Sequence, residues 1–158
     1  MTMFCYQCEE TARGTGCTVK GVCGKEDHTA GVQDVLLYIC KGISIRNLAA
    51  MEKGAGNKQA GAFITEALFA TLTNTNFDDQ RIKEMIKQAI AIRDSLPKSG
   101  DNEPDACTWT PKSDADIEAK AKEIADLANV NDDVHSLRAM LVFGLKGLAA
   151  YYHHAETL

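Results

Sequence analysis

Residues 27–53 read DHTAGVQDVLLYICKGISIRNLAAMEK, and the spacing of their apolar side chains decides the fold class. Apolar residues recur every three or four positions, which places them along one stripe of a helix that runs to about Lys53. Gly54 and Gly56 come next and are suited to ending that helix. The residues of this stripe are Val32, Val35, Leu36, Ile39, Ile43 and Leu48.

The rest of the chain after residue 53 predicts further helices and no strands. Helical spacing extends over residues 58–72, and Asp78 or Asp79 is placed to cap a third helix that Pro97 stops. Ser113 is expected to cap a helix to about residue 128, and Asn131 or the next residue to cap the last, over 133–154. Residues 98–111 are rich in glycine and proline and predict an ordinary surface loop. We therefore expect an all-α helical bundle over residues 27–158.

Two segments of the long helices resemble each other in sequence. Residues 35–43 read VLLYICKGI and residues 140–148 read MLVFGLKGL, so the two helices are expected to pack in similar surroundings. Gly42, Gly144 and Gly147 each lower helix propensity by about 1 kcal/mol relative to alanine. Close approach of another backbone would compensate for this loss, although a tolerated glycine is an alternative explanation.

The composition excludes two classes of function. The 158-residue chain has a net charge of −5 and no run of lysine or arginine, whereas a nucleic-acid-binding protein needs a basic face. No apolar stretch approaches the ~20 residues that span a bilayer, and the first residues lack the pattern of a signal peptide. We therefore expect a cytoplasmic protein with no nucleic-acid or membrane partner, in which the cysteines are metal ligands or catalytic groups rather than disulfides.

Four of the six cysteines lie in the first 23 residues and form a C-x2-C-x8-C-x5-C motif. They are Cys5, Cys8, Cys17 and Cys23. Thiolate is the soft ligand that zinc and iron–sulfur clusters select. Zinc sites usually pair two close knuckles across a longer spacer, so this spacing favours an iron–sulfur cluster and leaves zinc as an alternative.

The residues around the four cysteines are suited to an anionic cluster. Glycines allow tight turns that aim backbone amides at sulfur, positive charges offset the cluster, and apolar side chains exclude water. The same residues also have an ordinary interpretation as packing and surface. The candidates are Gly14, Gly16, Gly21 and Gly24, the cations Arg13, Lys20 and Lys25, and the apolar Phe4, Tyr6, Val19 and Val22.

Several segments of the chain, taken in order, resemble the first domain of the hybrid cluster protein family, which is also called the prismane or hydroxylamine reductase family. The most specific are residues 3–11, MFCYQCEET, and residues 14–25, GTGCTVKGVCGK. The segments that follow are Gln33-Asp34, Lys41-Gly42, residues 68–79, residues 132–138 and residues 144–147. The resemblance extends over essentially the whole chain.

The resemblance implies a 4Fe-4S cluster held by Cys5, Cys8, Cys17 and Cys23 at the edge of the bundle. Residues 1–26 would be the cluster-binding loop of a single domain, 1–158, equivalent to the first part of a longer multidomain protein. That domain would relay electrons toward a catalytic hybrid cluster held by two later domains, so its partners would be those domains or a redox protein. The chain alone would not be a complete oxidoreductase. The alternative is a structural zinc or iron–sulfur loop on a helical interaction module.

The remaining cysteines and histidines are expected to have structural roles. Cys40 lies on the apolar stripe and is predicted to be a core residue, while Cys107 is predicted to be an incidental thiol in the surface loop. His28 follows the cysteine loop, where solvation of the helix start is favoured over a hydrogen bond to cluster sulfur. His153 and His154 are expected to interact with the dipole of the last helix rather than to bind metal.

Overall fold

The computed structural model of the chain describes residues 3–5, 7–8, 16–127 and 131–158. These residues form helices α1 (Asp27–Glu52), α2 (Lys58–Ala70), α3 (Asp79–Ser95), α4 (Asp105–Thr108), α5 (Asp114–Leu127) and α6 (Asp132–Thr157). No strand is present in this part of the chain, where a single isolated bridge joins the backbones of Cys5 and Cys17. The predicted all-α class is confirmed.

Side-chain caps set the starts of three helices. Asn57 accepts hydrogen bonds from the backbone amides of the second and third residues of α2, and Asp78 does the same for α3. Asn131 accepts from the amide of Asp133 at the start of α6. Each cap provides an acceptor for amides that have no partner inside the helix. The predicted caps of α3 and α6 are confirmed, with Asp78 rather than Asp79 as the cap of α3.

Helix α1 lies at the centre of the molecule and packs against α2, α3, α4 and α5. Most of its predicted apolar stripe is buried, but Leu48 is 58% exposed and its prediction as a core residue is wrong. Leu48 comes five residues after Ile43, which places it about 140° around the helix from the stripe. The buried apolar core comprises Val32, Val35, Leu36, Ile39, Cys40, Ile43, Ala60, Phe63, Ala67, Ile82, Met85, Ile86, Ala89, Leu96 and Ile117.

The segment 98–111, which the sequence predicted to be an ordinary surface loop, instead carries the short helix α4 and enters the core. Ala106 and Cys107 are buried there, against Gly42 of α1. Two buried arginines hold the segment in place. Arg46 binds both carboxylate oxygens of Glu103 at 2.9 and 2.6 Å, and Arg93 donates to the carbonyl oxygens of Ala106 and Trp109. Another backbone therefore approaches α1 closely at Gly42, as predicted from the glycine in this helix.

Helix α6 packs mainly against α2, and much of its apolar surface is exposed. The prediction that residues 140–148 share the surroundings of residues 35–43 is therefore wrong, because α1 is enclosed by four helices and α6 is not. Apart from neighbouring residues of α6 itself, no atom of the described residues lies within 4 Å of a Cβ built on Gly144 or Gly147, so the predicted close approach is not found there. The exposed large apolar residues of α6 are Val134, Leu137, Met140, Leu141, Phe143, Leu145, Leu148, Tyr151 and Tyr152. None of the helices in the described ranges is long and apolar enough to cross a bilayer.

Candidate metal centre

The cysteine loop is anchored to the start of α1 through its first and third cysteines. Two backbone hydrogen bonds, of 3.0 and 2.8 Å, join Cys5 and Cys17 across the loop. Cys17 is buried together with Met3 and with Ala30 of α1, and Cys5 packs at the edge of this small apolar cluster. The pairing therefore brings together two cysteines that are separated by eleven residues of sequence.

Glycines fix the path of the loop at two positions. Gly16 has φ +88°, and a Cβ built on it would lie 2.8 Å from the Phe4 ring, so only glycine fits without a shift of that ring. Gly24 follows Cys23 and has φ +94°, which a glycine adopts without the strain that other residues incur. The structure thus supports the predicted role of these glycines in turning the chain, while Gly14 lies outside the described residues.

All four cysteines of the motif are free thiols, as are Cys40 and Cys107. In the described part of the chain, no three Cys, His, Asp and Glu side chains form a group ready for one metal ion. Metal binding requires deprotonated cysteine ligands, so it is coupled to both folding and pH. The structure thus brings Cys5 and Cys17 together and leaves the assignment of the four-cysteine ligand set as a prediction.

A buried lysine lies at the end of the loop, just before α1. Lys25 is only 2% exposed, and its Nζ atom donates a 2.7 Å hydrogen bond to Oε1 of Gln33 on α1. Gln33 in turn donates from Nε2 to the carbonyl oxygen of Asn76 at 2.8 Å. The backbone amide of Gly21 donates to the carbonyl oxygen of Lys25, so this lysine is part of the turn that carries Cys23.

A second buried lysine reaches the same region from α6. Lys146 is 1% exposed, and its Nζ atom donates a 2.8 Å hydrogen bond to the carbonyl oxygen of Thr71, just after α2. Two residues farther along, the Thr73 hydroxyl donates to Oε1 of Gln7 at 3.4 Å. Gln7 lies between Cys5 and Cys8, so the segment that follows α2 connects Lys146 to the cysteine loop.

The pKa values around the loop show that these charges act on one another. Burial and then the charge of Lys25 lower the pKa of Lys146 to about 8, while Asp34 and Cys5 oppose that change. Burial raises the pKa of Asp34 to about 6 against the attraction of Lys146 and Lys25. Burial also raises the pKa of the Cys5 thiol, and the two lysine charges act in the opposite direction. The lysines therefore favour the thiolate form, which is the form that binds metal.

The other residues predicted to surround the cluster have mixed outcomes. Lys20 is exposed and pairs with Glu26 rather than covering the loop. Val19 and Val22 are 75% and 58% exposed, so the prediction that they exclude water is wrong for this chain. Both lie in the irregular part of the loop, where no helix covers them. Tyr6 and Arg13 lie outside the described residues.

The histidines and the other two cysteines have structural surroundings. His28 lies 2.8 Å from Asp79 of α3 through Nδ1 and 3.5 Å from Glu118 of α5 through Nε2, so it joins three helices. Cys40 is a core residue as predicted, and burial raises its pKa to about 12. The prediction of Cys107 as a surface-loop thiol is wrong, because α4 buries it completely. The ring of His153 is tilted against the Phe69 ring with the centroids 5.0 Å apart, and the ring of His154 meets it edge-on at 5.8 Å.

Sequence reasoning missed the contribution of Lys146 and Gln33 to this centre. Both occur within segments that carry the family resemblance, but neither has a ligand-type side chain. The available signal is that Lys146 interrupts a long apolar run on α6, where a lysine is costly unless its charge is compensated. The corresponding lysine of the similar segment, Lys41, is exposed, so the pattern alone does not separate the two.

The residues present fit an anionic iron–sulfur cluster better than a neutral group. Four thiolates and the cluster sulfides carry net negative charge, and two buried lysine side chains lie next to the loop that supplies the thiolates. In the described residues neither lysine forms an ion pair with a carboxylate. A buried cation without an anionic partner is unfavourable, so an anion bound in the loop would compensate for both.

The chain is similar to known proteins over nearly all of its length. Residues 3–158 match the Prismane/CO dehydrogenase family. A hydroxylamine reductase of Desulfitobacterium hafniense strain DCB-2 is 49% identical over 166 residues, covering 100% of this chain and 30% of the relative. The hydroxylamine reductases of Halothermothrix orenii and Nitratidesulfovibrio vulgaris are 45% and 46% identical, with 31% and 30% of their lengths covered. The chain thus spans about 30% of the length of these relatives.

Proposed function

The chain belongs to the Prismane/CO dehydrogenase family, and on this premise we propose that its cysteine loop holds a 4Fe-4S cluster that transfers electrons. The proposed ligands are the thiolates of Cys5, Cys8, Cys17 and Cys23. The observation that carries the proposal is the combination of this cysteine motif with two buried lysines that lack an anionic partner among the described residues. Such a cluster supplies one-electron chemistry at a potential set by its protein surroundings.

The residues of the chain have distinct tasks in this proposal. The hydrogen-bonded pair of Cys5 and Cys17 fixes two ligands against α1, while the turn at Gly24 leads the chain from the fourth ligand into that helix. Lys25 is part of the same turn, and its positive charge favours the thiolate form of Cys5 over the thiol.

We further propose that the chain forms one domain, equivalent to the first part of a hydroxylamine reductase, and that it passes electrons to a catalytic cluster held elsewhere in such a protein. The relatives named hydroxylamine reductase are about three times as long as the segment they share with this chain. The exposed apolar side chains of α6 support packing against further domains or a redox partner, since large apolar patches mark interaction surfaces. Hydroxylamine reduction would therefore require more than this chain.

The proposal is tested by anaerobic reconstitution of the 158-residue chain with iron and sulfide. We expect a brown protein with about four iron and four sulfide per chain and an EPR signal after reduction. Cys17→Ser removes a buried soft ligand and should lose most of the iron and the signal. Cys40→Ser is the matched control, because Cys40 is buried in the helical core away from the loop and should leave the iron content unchanged.

Two results would contradict this proposal. A colourless protein that binds one zinc with the same four thiolates would favour the structural zinc alternative. Equal iron content in the Cys17→Ser and Cys40→Ser proteins would show that the loop is not the metal site. Circular dichroism of the metal-free variants separates loss of ligation from loss of the helical fold.

A further inference from the structure

We propose that Lys146 of α6, acting with Lys25, is the counter-charge that raises the reduction potential of the cluster held by the cysteine loop. This inference rests on the proposed function and assigns a role to a residue at the opposite end of the chain from the cysteines. Lys146 is a positioning and electrostatic residue here, since it donates to a backbone carbonyl and not to a cysteine.

Lys146 and Lys25 are two like charges that are buried without an ion pair to a carboxylate in the described residues. Lys146 and Lys25 are 1% and 2% exposed, and each Nζ atom donates to a neutral acceptor, the carbonyl oxygen of Thr71 and the side-chain amide oxygen of Gln33. The two charges repel each other. Asp34 acts on both lysines, but no ion pair joins it to either within the described residues. The net charge of this buried group is therefore positive when all three side chains are ionised.

The contacts of the two lysines place this positive charge beside the cysteine loop. The Thr71 carbonyl that Lys146 binds belongs to the segment whose Thr73 hydroxyl contacts Gln7, between Cys5 and Cys8. Lys25 lies next to the fourth cysteine, because its Cβ atom and the Cys23 Sγ atom lie 3.2 and 3.0 Å from the same Cβ position built on Gly21.

A buried positive charge is expected to raise the reduction potential of the cluster rather than lower it. Reduction of a 4Fe-4S cluster adds one electron and no compensating cation, so the cluster with its four thiolates becomes more negative by one charge. A fixed positive charge nearby stabilises that reduced form more than the oxidised form and therefore raises the potential. The effect is strong in a buried site of low effective dielectric constant, and weak for an exposed lysine whose charge water and salt screen.

The test measures the midpoint potential of the reconstituted 158-residue chain by redox titration, with the EPR signal of the reduced cluster as the readout. Lys146→Gln removes the charge and keeps a hydrogen-bond donor for the Thr71 carbonyl. We expect it to lower the reduction equilibrium constant at least tenfold, which corresponds to a drop of about 59 mV for a one-electron couple. Lys146→Met provides a second neutral variant, and Lys146→Arg, which keeps the charge, should stay within twofold of wild type.

Lys41→Gln is the matched control. Lys41 precedes Gly42 in the segment that resembles residues 140–148, and it is exposed, so the same loss of charge should change the equilibrium constant less than twofold. Unchanged potentials in both Lys146→Gln and Lys146→Met would overturn the inference while leaving the cluster proposal intact. An equal drop in Lys41→Gln would also overturn it, because the effect would then follow net charge alone. A wild-type chain that binds no cluster would overturn both proposals.

Discussion

Replacing Gly42 with alanine tests whether the packing of α4 on α1 is as tight as the structure shows. A Cβ atom on Gly42 would overlap the carbonyl oxygen of Ala106 and lie 2.6 Å from its carbonyl carbon and 3.1 Å from the Cα atom of Cys107. These are backbone atoms of α4. They cannot move aside as a flexible side chain does, and Arg93 holds the same Ala106 carbonyl by a hydrogen bond of 3.3 Å.

Two opposing effects determine the magnitude. Alanine gains about 1 kcal/mol over glycine within a helix, whereas overpacking a well-filled site costs about 1–3 kcal/mol. Because the contact at Gly42 is with backbone, we take the upper part of that range and expect a loss of about 1–2 kcal/mol in the free energy of unfolding. At Gly144 and Gly147 no described residue outside the neighbouring turns of α6 comes within 4 Å of the added atom, so the same substitution should gain about 1 kcal/mol.

The assay is urea unfolding of the metal-free 158-residue chain, followed by circular dichroism, for the wild type and the three alanine variants. The variants share one chemical change in a helix interior, so their comparison isolates what the new methyl group meets. A Gly42→Ala protein as stable as Gly144→Ala would refute the packing of α4 on α1. Equal losses at all three positions would show that α6 is enclosed in the same way as α1.

Two further predictions concern buried groups. The hydrogen bonds from Arg46 lower the pKa of Glu103 from its ordinary value of 4.5 to about 2. The pair therefore stabilises the fold fully above about pH 4.5, and this stabilisation is lost as the pH falls toward 2. Glu103→Gln should cost about 3 kcal/mol at pH 7, because the buried Arg46 loses its nearer carboxylate and keeps only the more distant one of Asp94, at 3.6 Å. The stability of the variant should fall less steeply than that of the wild type between pH 5 and 2; parallel unfolding curves across that range would contradict the assignment. In the folded metal-free chain, Cys40 and Cys107 should resist alkylation because both are buried and have raised pKa values, so mass spectrometry should find at most four modified thiols, and six in urea. Rapid modification of Cys107 in the folded chain would show that α4 does not bury it.

The helices were predictable because their information is local. The three- and four-residue spacing of apolar side chains in α1 and α3, and the caps Asp78 and Asn131, are properties of adjacent residues. The failure at α4 has the opposite cause. That helix has four residues in a segment rich in glycine and proline, and it is held in the core by Arg46 and Arg93, which come from two other helices.

The environments of the two similar segments were not predictable either, because they too depend on contacts with other helices. Residues 35–43 and 140–148 carry nearly the same pattern of apolar, lysine and glycine positions, and each is compatible with a buried or a half-exposed helix. The structure encloses the first between four helices and packs the second mainly against α2. A periodic pattern indicates which side of a helix is apolar, but it does not say whether a neighbour covers that side.

The candidate metal centre combines local and tertiary information. The ligand spacing of Cys5, Cys8, Cys17 and Cys23 can be read within one short segment, and the thiolate chemistry follows from the residue type. The proposed counter-charge for these thiolates comes from Lys146. The Nζ atom of Lys146 reaches the Thr71 carbonyl because α6 packs on α2. Since an iron–sulfur potential depends on charge and burial around the cluster, the cysteine motif alone predicts a binding loop but not its potential. The fold then sets the electrostatic conditions under which that loop would accept an electron.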